Sequence, residues 1–343
     1  MVTKQYRLIL EGENLDPLWN VEVTYGDSGK ILAIDELKYE LDLANCLIPG
    51  FFNSHVHSAD IGLRGIGQYT LSELVGEGGI KSRHLEHLSD DALELAINKC
   101  YEEAKLLGIR GWADFREGGL RGIQPYHKLP SSFIAFGRPI PGDDLEQFNY
   151  FGIRDVAHYT SDQLQLIVEH AHKFEKPIFI HASEDIELRN QWVNLHSESD
   201  VIWSLRNISP RAIIHLTHAD EEDFTEMKLS KVGAVFCLGS NQFTKVGIPN
   251  IPLALELGLE MAIGTDNAMM QSLSIGNEIR KIHHTFPDIS IIELIKLGSV
   301  NGAKLVDLDF SLKIGNSNYI ELNIPQLRTF HQSLDRSILE QLP

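Results

Sequence analysis

Eight short apolar runs, most of them followed by a helix-like segment, set the tightest limit on what this chain can fold into. They fall at 47–54, 109–115, 132–137, 151–156, 177–181, 211–215, 233–238 and 260–265. Ser89, Asp90 and Asp91 open a helix that runs to Leu107 and stops at Gly108. A second helix is expected over 161–174, ended by Pro177, and others over 220–232, 275–284 and 289–297. Strands alternating with helices eight times over predict an α/β fold, a (β/α)8 TIM barrel spanning 47–308. A doubly wound sheet is the alternative, but no glycine fingerprint for a dinucleotide is present. The chain ends read differently. Short strands at 6–10, 21–25 and 30–34, punctuated by Gly26-Asp27 and Ser28-Gly29, and another at 319–324, predict a small β-sandwich-like domain made of 1–46 plus 309–343.

The composition fits such a chain and narrows its partners. Its 343 residues bury ample core without disulfides. Cys46, Cys100 and Cys237 are far apart, with no CxxC, which suits a reducing cytosol. The N-terminal stretch lacks an apolar signal region, and no run reaches the roughly 18 apolar residues of a membrane span. The expectation is a soluble cytoplasmic protein. A net charge of −18 repels nucleic acid and anionic membranes and favours a neutral or cationic small molecule.

The chemistry is concentrated where these runs end, because the active site of a barrel lies at the C-terminal ends of its strands. Pro49-Gly50-Phe51-Phe52-Asn53-Ser54-His55-Val56-His57 closes the first run with two histidines one residue apart. Alternation along a strand points both imidazoles the same way, so they can grip one metal ion. His181 ends the fifth run, His215 the sixth, and Asp266 the eighth. Each residue alone has an ordinary explanation: an exposed loop histidine, a hydrogen-bonded structural histidine, or a helix cap. Their conjunction at one mouth is far harder to obtain by chance.

PGFFNSHVH, HASE, IIHLTHAD and AIGTDNAM, in this order and strand context, resemble the amidohydrolase superfamily. More narrowly they resemble its cytosine deaminase, guanine deaminase and chlorohydrolase-like branch. The resemblance runs from about Leu47 to Leu308, with weaker matches at Arg64-Gly65 and Ser240-Asn241. That branch has a bipartite β-domain flanking the barrel. It implies that His55, His57, His181 and Asp266 ligate one divalent metal ion, zinc by default, with iron, nickel or manganese also suited. It implies that His215 orients the attacking water and that Glu184, in the pattern HxxE, shuttles protons; His218 is the alternative to His215, which directly follows the apolar run. Binuclear members carry a bridging lysine at the end of the fourth strand; residues 151–158 contain none, nor do 133–138, which favours one metal. An acid at Glu184 would equally suit the start of a helix over 185–196.

The resemblance implies a hydrolase of carbon–nitrogen bonds other than peptide bonds, and a deaminase of a heterocyclic amidine in particular. Hydrolysis of another amide, amine or chloro substituent is the rival, and an inactive metal-containing binding barrel is the reading of a different class. The partner is then a small heterocycle, with no nucleic acid and no membrane, and with room for a homodimer. Gln68, Arg116 and Arg138 are candidate substrate-binding residues, with Glu117 and Trp112 as further pocket candidates. Trp19, Trp192 and Trp203 read as packing. The segment after the first strand is short for this branch: only about thirty residues separate His57 from the helix at Ser89. Specificity in the branch depends on such loops.

Overall fold

The structure, a computed structural model, describes residues 1–67, 69–76, 78–329 and 334–343. Gln68 lies outside the described residues. The chain divides into two compact units, one of Met1–Phe52, Ala104–Arg110 and Ser274–Pro343, the other of Asn53–Glu103 and Gly111–Leu273.

The first unit contains a five-stranded sheet, ordered Tyr319–Asn323, Asn45–Pro49, Val2–Glu11, Asp16–Tyr25, Ile31–Glu36. Tyr319–Asn323 is antiparallel to Asn45–Pro49, which is parallel to Val2–Glu11. Alternation puts Val21, Val23 and Tyr25 on one face, where they pack with Tyr6, Ile9, Ile31, Leu47 and Leu312. The apolar run expected over 47–54 is in fact two strands. Asn45–Pro49 belongs to this sheet, and Phe51–His57 to another. The break is Gly50, where an added Cβ would lie 2.5 Å from Arg110 Cγ, so only glycine allows the close approach.

The second sheet is parallel and curled, in a mixed α/β fold of TIM-barrel-like character. Its strands follow chain order: Phe51–His57, Ile109–Arg116, Phe133–Gly137, Phe151–Ile153, Ile178–Ala182, Ala212–His215, Gly233–Phe236 and Met261–Ile263. The short strand Asp266–Asn267 then pairs with Val56 and His57. Gly264 and Thr265 span the join: Gly264 donates to Phe236 of the seventh strand, and Thr265 to His55 of the first, both at 3.0 Å. Below the histidines, Asn53 Nδ2 donates to Thr265 Oγ1 at 2.7 Å, and its Oδ1 accepts from Thr265 N at 3.1 Å. Helices Asp90–Leu106, Ser161–Lys173, Glu221–Ser230, Ile275–Thr285 and Ile291–Leu297 form close to the expected spans. The capping box of Thr160 and Gln163 fixes the start of the second of these. Among the described residues no helix is long and apolar enough to cross a membrane.

The short segment after the first strand forms two helices, Leu71–Val75 and Ile80–His87. Leu74 packs on Met269 and Met270, with Leu63, Val75, Ile80 and Phe243 around them. These apolar contacts hold the segment beside the end of the eighth strand.

Candidate metal centre

His55, His57, His181, His215 and Asp266 come together, buried, at the C-terminal ends of their strands. His55 Nε2 lies 3.2 Å from His181 Nε2 and 3.2 Å from Asp266 Oδ1; His57 Nε2 lies 3.4 Å from the same oxygen. Tautomers follow from the partners behind each ring. His57 Nδ1 faces the Phe115 carbonyl at 3.0 Å, and His181 Nδ1 faces the Ile153 carbonyl at 3.0 Å. A carbonyl only accepts, so both Nδ1 atoms carry hydrogen and both Nε2 atoms present lone pairs inward. Burial disfavours the charged form of two of these rings: His55 is pushed down to about 3, and His181 falls well below the usual range, with neighbouring imidazoles adding to the effect. Burial alone would raise the Asp266 carboxyl, but the His55 hydrogen bond and the imidazoles around it hold it well below the usual carboxylate range.

This donor set fits a divalent cation. A tetrahedral site with arms of about 2.0–2.1 Å has edges of about 3.3–3.4 Å, close to the nitrogen–nitrogen and nitrogen–oxygen separations here. The groups His55, His57, His181 and His55, His215, Asp266 each offer ligand atoms within 4.8 Å of one another. Neutral imidazoles with one ionised carboxylate are ligands for zinc and similar ions.

Backbone strain sharpens the arrangement. Ser183, His215, Leu216 and Asp266 all take left-handed conformations, with φ of 50°, 73°, 52° and 59°. Such residues persist only where surroundings over-determine them. At Ser183 the restraint is Asp200, whose carboxylate accepts from the backbone N–H and the hydroxyl, each at 2.6 Å. Asp266 is a strand residue rather than a helix cap, and Ser240 donates to its Oδ2 at 2.5 Å.

Glu184 is likewise not the cap of the next helix. Helix Ile186–His196 is capped by Asp185, which accepts from the N–H groups of Glu187 and Leu188. Glu184 Oε1 stands 3.6 Å from His215 Nε2. Burial pushes its carboxyl above the ordinary value; His215 opposes the shift, and Asp266 and Asp155 add to it. His215 is held from behind: Asn241 Oδ1 lies 3.0 Å from His215 Nδ1, and Asn241 Nδ2 donates to Thr217 Oγ1. The amide orientation makes His215 Nδ1 the donor and leaves its Nε2 lone pair facing the site. Sequence reasoning touched Asn241 only as a motif match. His215 lines the cavity and His218 does not.

Above these residues opens a cavity of about 670 Å³. The short helices contribute Leu71, Val75 and Leu85 to its wall. Arg138 lines it and lies 3.7 Å from Glu117. Arg116 reaches it while only 1% exposed, held between Asp114 and Glu117. One expectation about tryptophans reverses. Trp112 is core, packed edge-on against Phe133, and does not line the cavity. Trp192 packs as expected, stacked on His196 and edge-on to Trp203, and also lines the cavity from helix Ile186–His196. Lys81 and Asp60 were missed by sequence reasoning, and both are buried beside Glu117. Asp60, three residues beyond His57, had a local signal; Lys81 had none.

The amidohydrolase family model matches residues 140–312. An uncharacterized protein of Methanocaldococcus jannaschii is 31% identical over 292 residues, 78% of this chain and 75% of that one. A 5-methylthioadenosine/S-adenosylhomocysteine deaminase of Pyrococcus furiosus is 25% identical over 305 residues, 77% of this chain and 71% of that one. Among solved structures, the atrazine chlorohydrolase of Arthrobacter aurescens complexed with zinc aligns with a TM-score of 0.79. It covers 98% of this chain and 91% of that one at 13% identity, a likeness of fold. With the family match and the M. jannaschii relative together, this chain belongs to the amidohydrolase family, enzymes that hydrolyse carbon–nitrogen bonds other than peptide bonds.

Proposed function

We propose that this enzyme deaminates a small heterocyclic amidine, releasing ammonia, at a mononuclear centre held by His55, His57, His181 and Asp266. The observation that carries the reading is the contact of Glu184 with His215 at the floor of the cavity, next to Asp266. A deaminase must deliver one proton to a ring nitrogen and another to the departing amino group. Glu184, which burial keeps protonated to higher pH, suits the first task. Asp266, held ionised, can take the proton of the attacking water and pass it to the leaving nitrogen. The inward lone pair of His215 accepts a hydrogen bond from that water and orients it. A bound divalent ion, zinc by default, supplies water activation and charge for the oxygen that develops at the attacked carbon. Water adds to the amidine carbon, the carbon–amino bond breaks, and a ring carbonyl and ammonia remain.

The deaminase names among the relatives support this substrate class. The chlorohydrolase likeness supports a second reading, displacement of chloride by the same water. The order of strands supports a closed (β/α)8 barrel that begins at Phe51, with a β-domain drawn from both chain ends. The test is a panel of aminated and chlorinated purines, pyrimidines and triazines incubated with zinc-loaded protein. Ammonia release from an amino-substituted ring supports the proposal; chloride release alone, or neither product, defeats it.

A further inference from the structure

Three charged side chains beside the centre are not used by the chemistry above. Asp60, in the turn after the first strand, is fully buried, and Lys81, on helix Ile80–His87, is 7% exposed. Glu117 follows the second strand. A carboxylate taken out of water is costly unless a cation meets it. Lys81 Nζ meets both acids, 3.0 Å from Asp60 Oδ2 and 2.8 Å from Glu117 Oε1, and donates to Asn267 Oδ1 at 3.2 Å.

Each of two Lys81 partners ends on a proposed metal ligand. Glu117 Oε1, the oxygen paired with Lys81, is also 3.3 Å from His57 Nδ1 and shares that N–H with the Phe115 carbonyl at 3.0 Å. Asn267, whose Oδ1 accepts from Lys81, donates through Nδ2 to Asp266 Oδ1 at 2.9 Å. One ammonium thus fixes the group behind a histidine ligand and the group behind the carboxylate ligand. The same helix lines the substrate cavity through Ser82, Leu85 and Glu86.

We infer that Lys81 is a positioning residue for the metal centre: through Glu117 and Asn267 it sets the orientation of His57 and Asp266, and it ties helix Ile80–His87 to the mouth. The inference rests on the ligand assignment proposed above. Groups that orient metal ligands typically contribute about 10–100-fold to metal affinity. An ion pair serving only to fold the segment would lower the melting temperature and leave affinity and ligand geometry alone.

The experiment is a titration of metal-free protein with cobalt(II) against a competing chelator, with the visible absorption spectrum recorded. Lys81→Met leaves two buried acids, so a second variant, Lys81→Met with Asp60→Asn, removes one of them and protects folding. Both variants are expected to bind cobalt about 10–100-fold more weakly than the natural sequence, with an altered spectrum, while circular dichroism shows a folded chain. If the folded variants bind within about twofold of the natural sequence and with the same spectrum, the inference is overturned. If the natural sequence takes up no cobalt, the metal-centre reading fails, and this inference with it.

Discussion

His55 Nε2 and His181 Nε2 face each other at 3.2 Å in a buried setting, and the His181 nitrogen carries a lone pair because its ring hydrogen is committed to the Ile153 carbonyl. Burial disfavours the charged form of either ring. A divalent cation satisfies both nitrogens and Asp266 together. The chain should therefore bind one equivalent of metal, and His55→Ala or His181→Ala should lose it. Elemental analysis of purified proteins checks this; stoichiometric metal in both variants would refute the ligand assignment.

Asp266→Asn keeps the size of the side chain and removes its charge. It should lower kcat by about 10²–10⁴-fold, the usual contribution of a proton-transferring group, while three histidines still retain measurable metal. Steady-state kinetics on variant protein of known metal content separates the two effects.

Glu184 predicts a pH dependence whose sign is fixed. Its folded-state pKa is raised by burial, so the acid form is present below that raised value and is lost as pH rises through it. Activity that needs the acid form should decline on the alkaline side. Glu184→Gln should lose about 10²–10⁴-fold of deamination and also lose that limb. The folded state binds more protons than the unfolded one between the ordinary and the raised value, so this group lowers stability as pH rises across that window. Glu184→Gln should then be the more stable protein above the window and equal to the natural one below it. Urea unfolding at two pH values measures the difference.

Asn241→Leu should strand the buried His215 Nδ1–H and free the ring to turn. An unsatisfied buried donor costs about 1–3 kcal/mol, readable as a lower denaturant midpoint. A fall in kcat with little change in KM would show that the ring orientation serves the reaction; unchanged kcat would remove His215 from the mechanism.

Gly264→Ala tests the join between the first and eighth strands. A Cβ there would lie 2.7 Å from both His55 N and His55 Cβ. Overpacking of this kind costs about 1–3 kcal/mol, and here the strain falls on a proposed ligand. Reduced thermal stability together with weaker metal uptake is expected, and wild-type behaviour in both would argue against so tight a contact.

The sequence by itself determined the strand runs and the candidate ligating residues that end them. Both are local signals: burial of a short run needs only its own apolar residues, and imidazole or carboxylate chemistry is written in residue type. It could not show that 47–54 breaks at Gly50, because what breaks it is the approach of Arg110 and Asn318. Nor could it settle Glu184 against a capping role, since that depended on Asp185 taking the cap. Trp112 was misjudged for a similar reason: the face a side chain presents depends on which way its element turns, not on its type. Only the tertiary structure decided that Asp266 pairs beside Val56, that Asn241 stands behind His215, and that Lys81 reaches Asp60, Glu117 and Asn267. Those contacts join residues far apart along the chain, and no periodicity or spacing encodes where a folded backbone will bring them together.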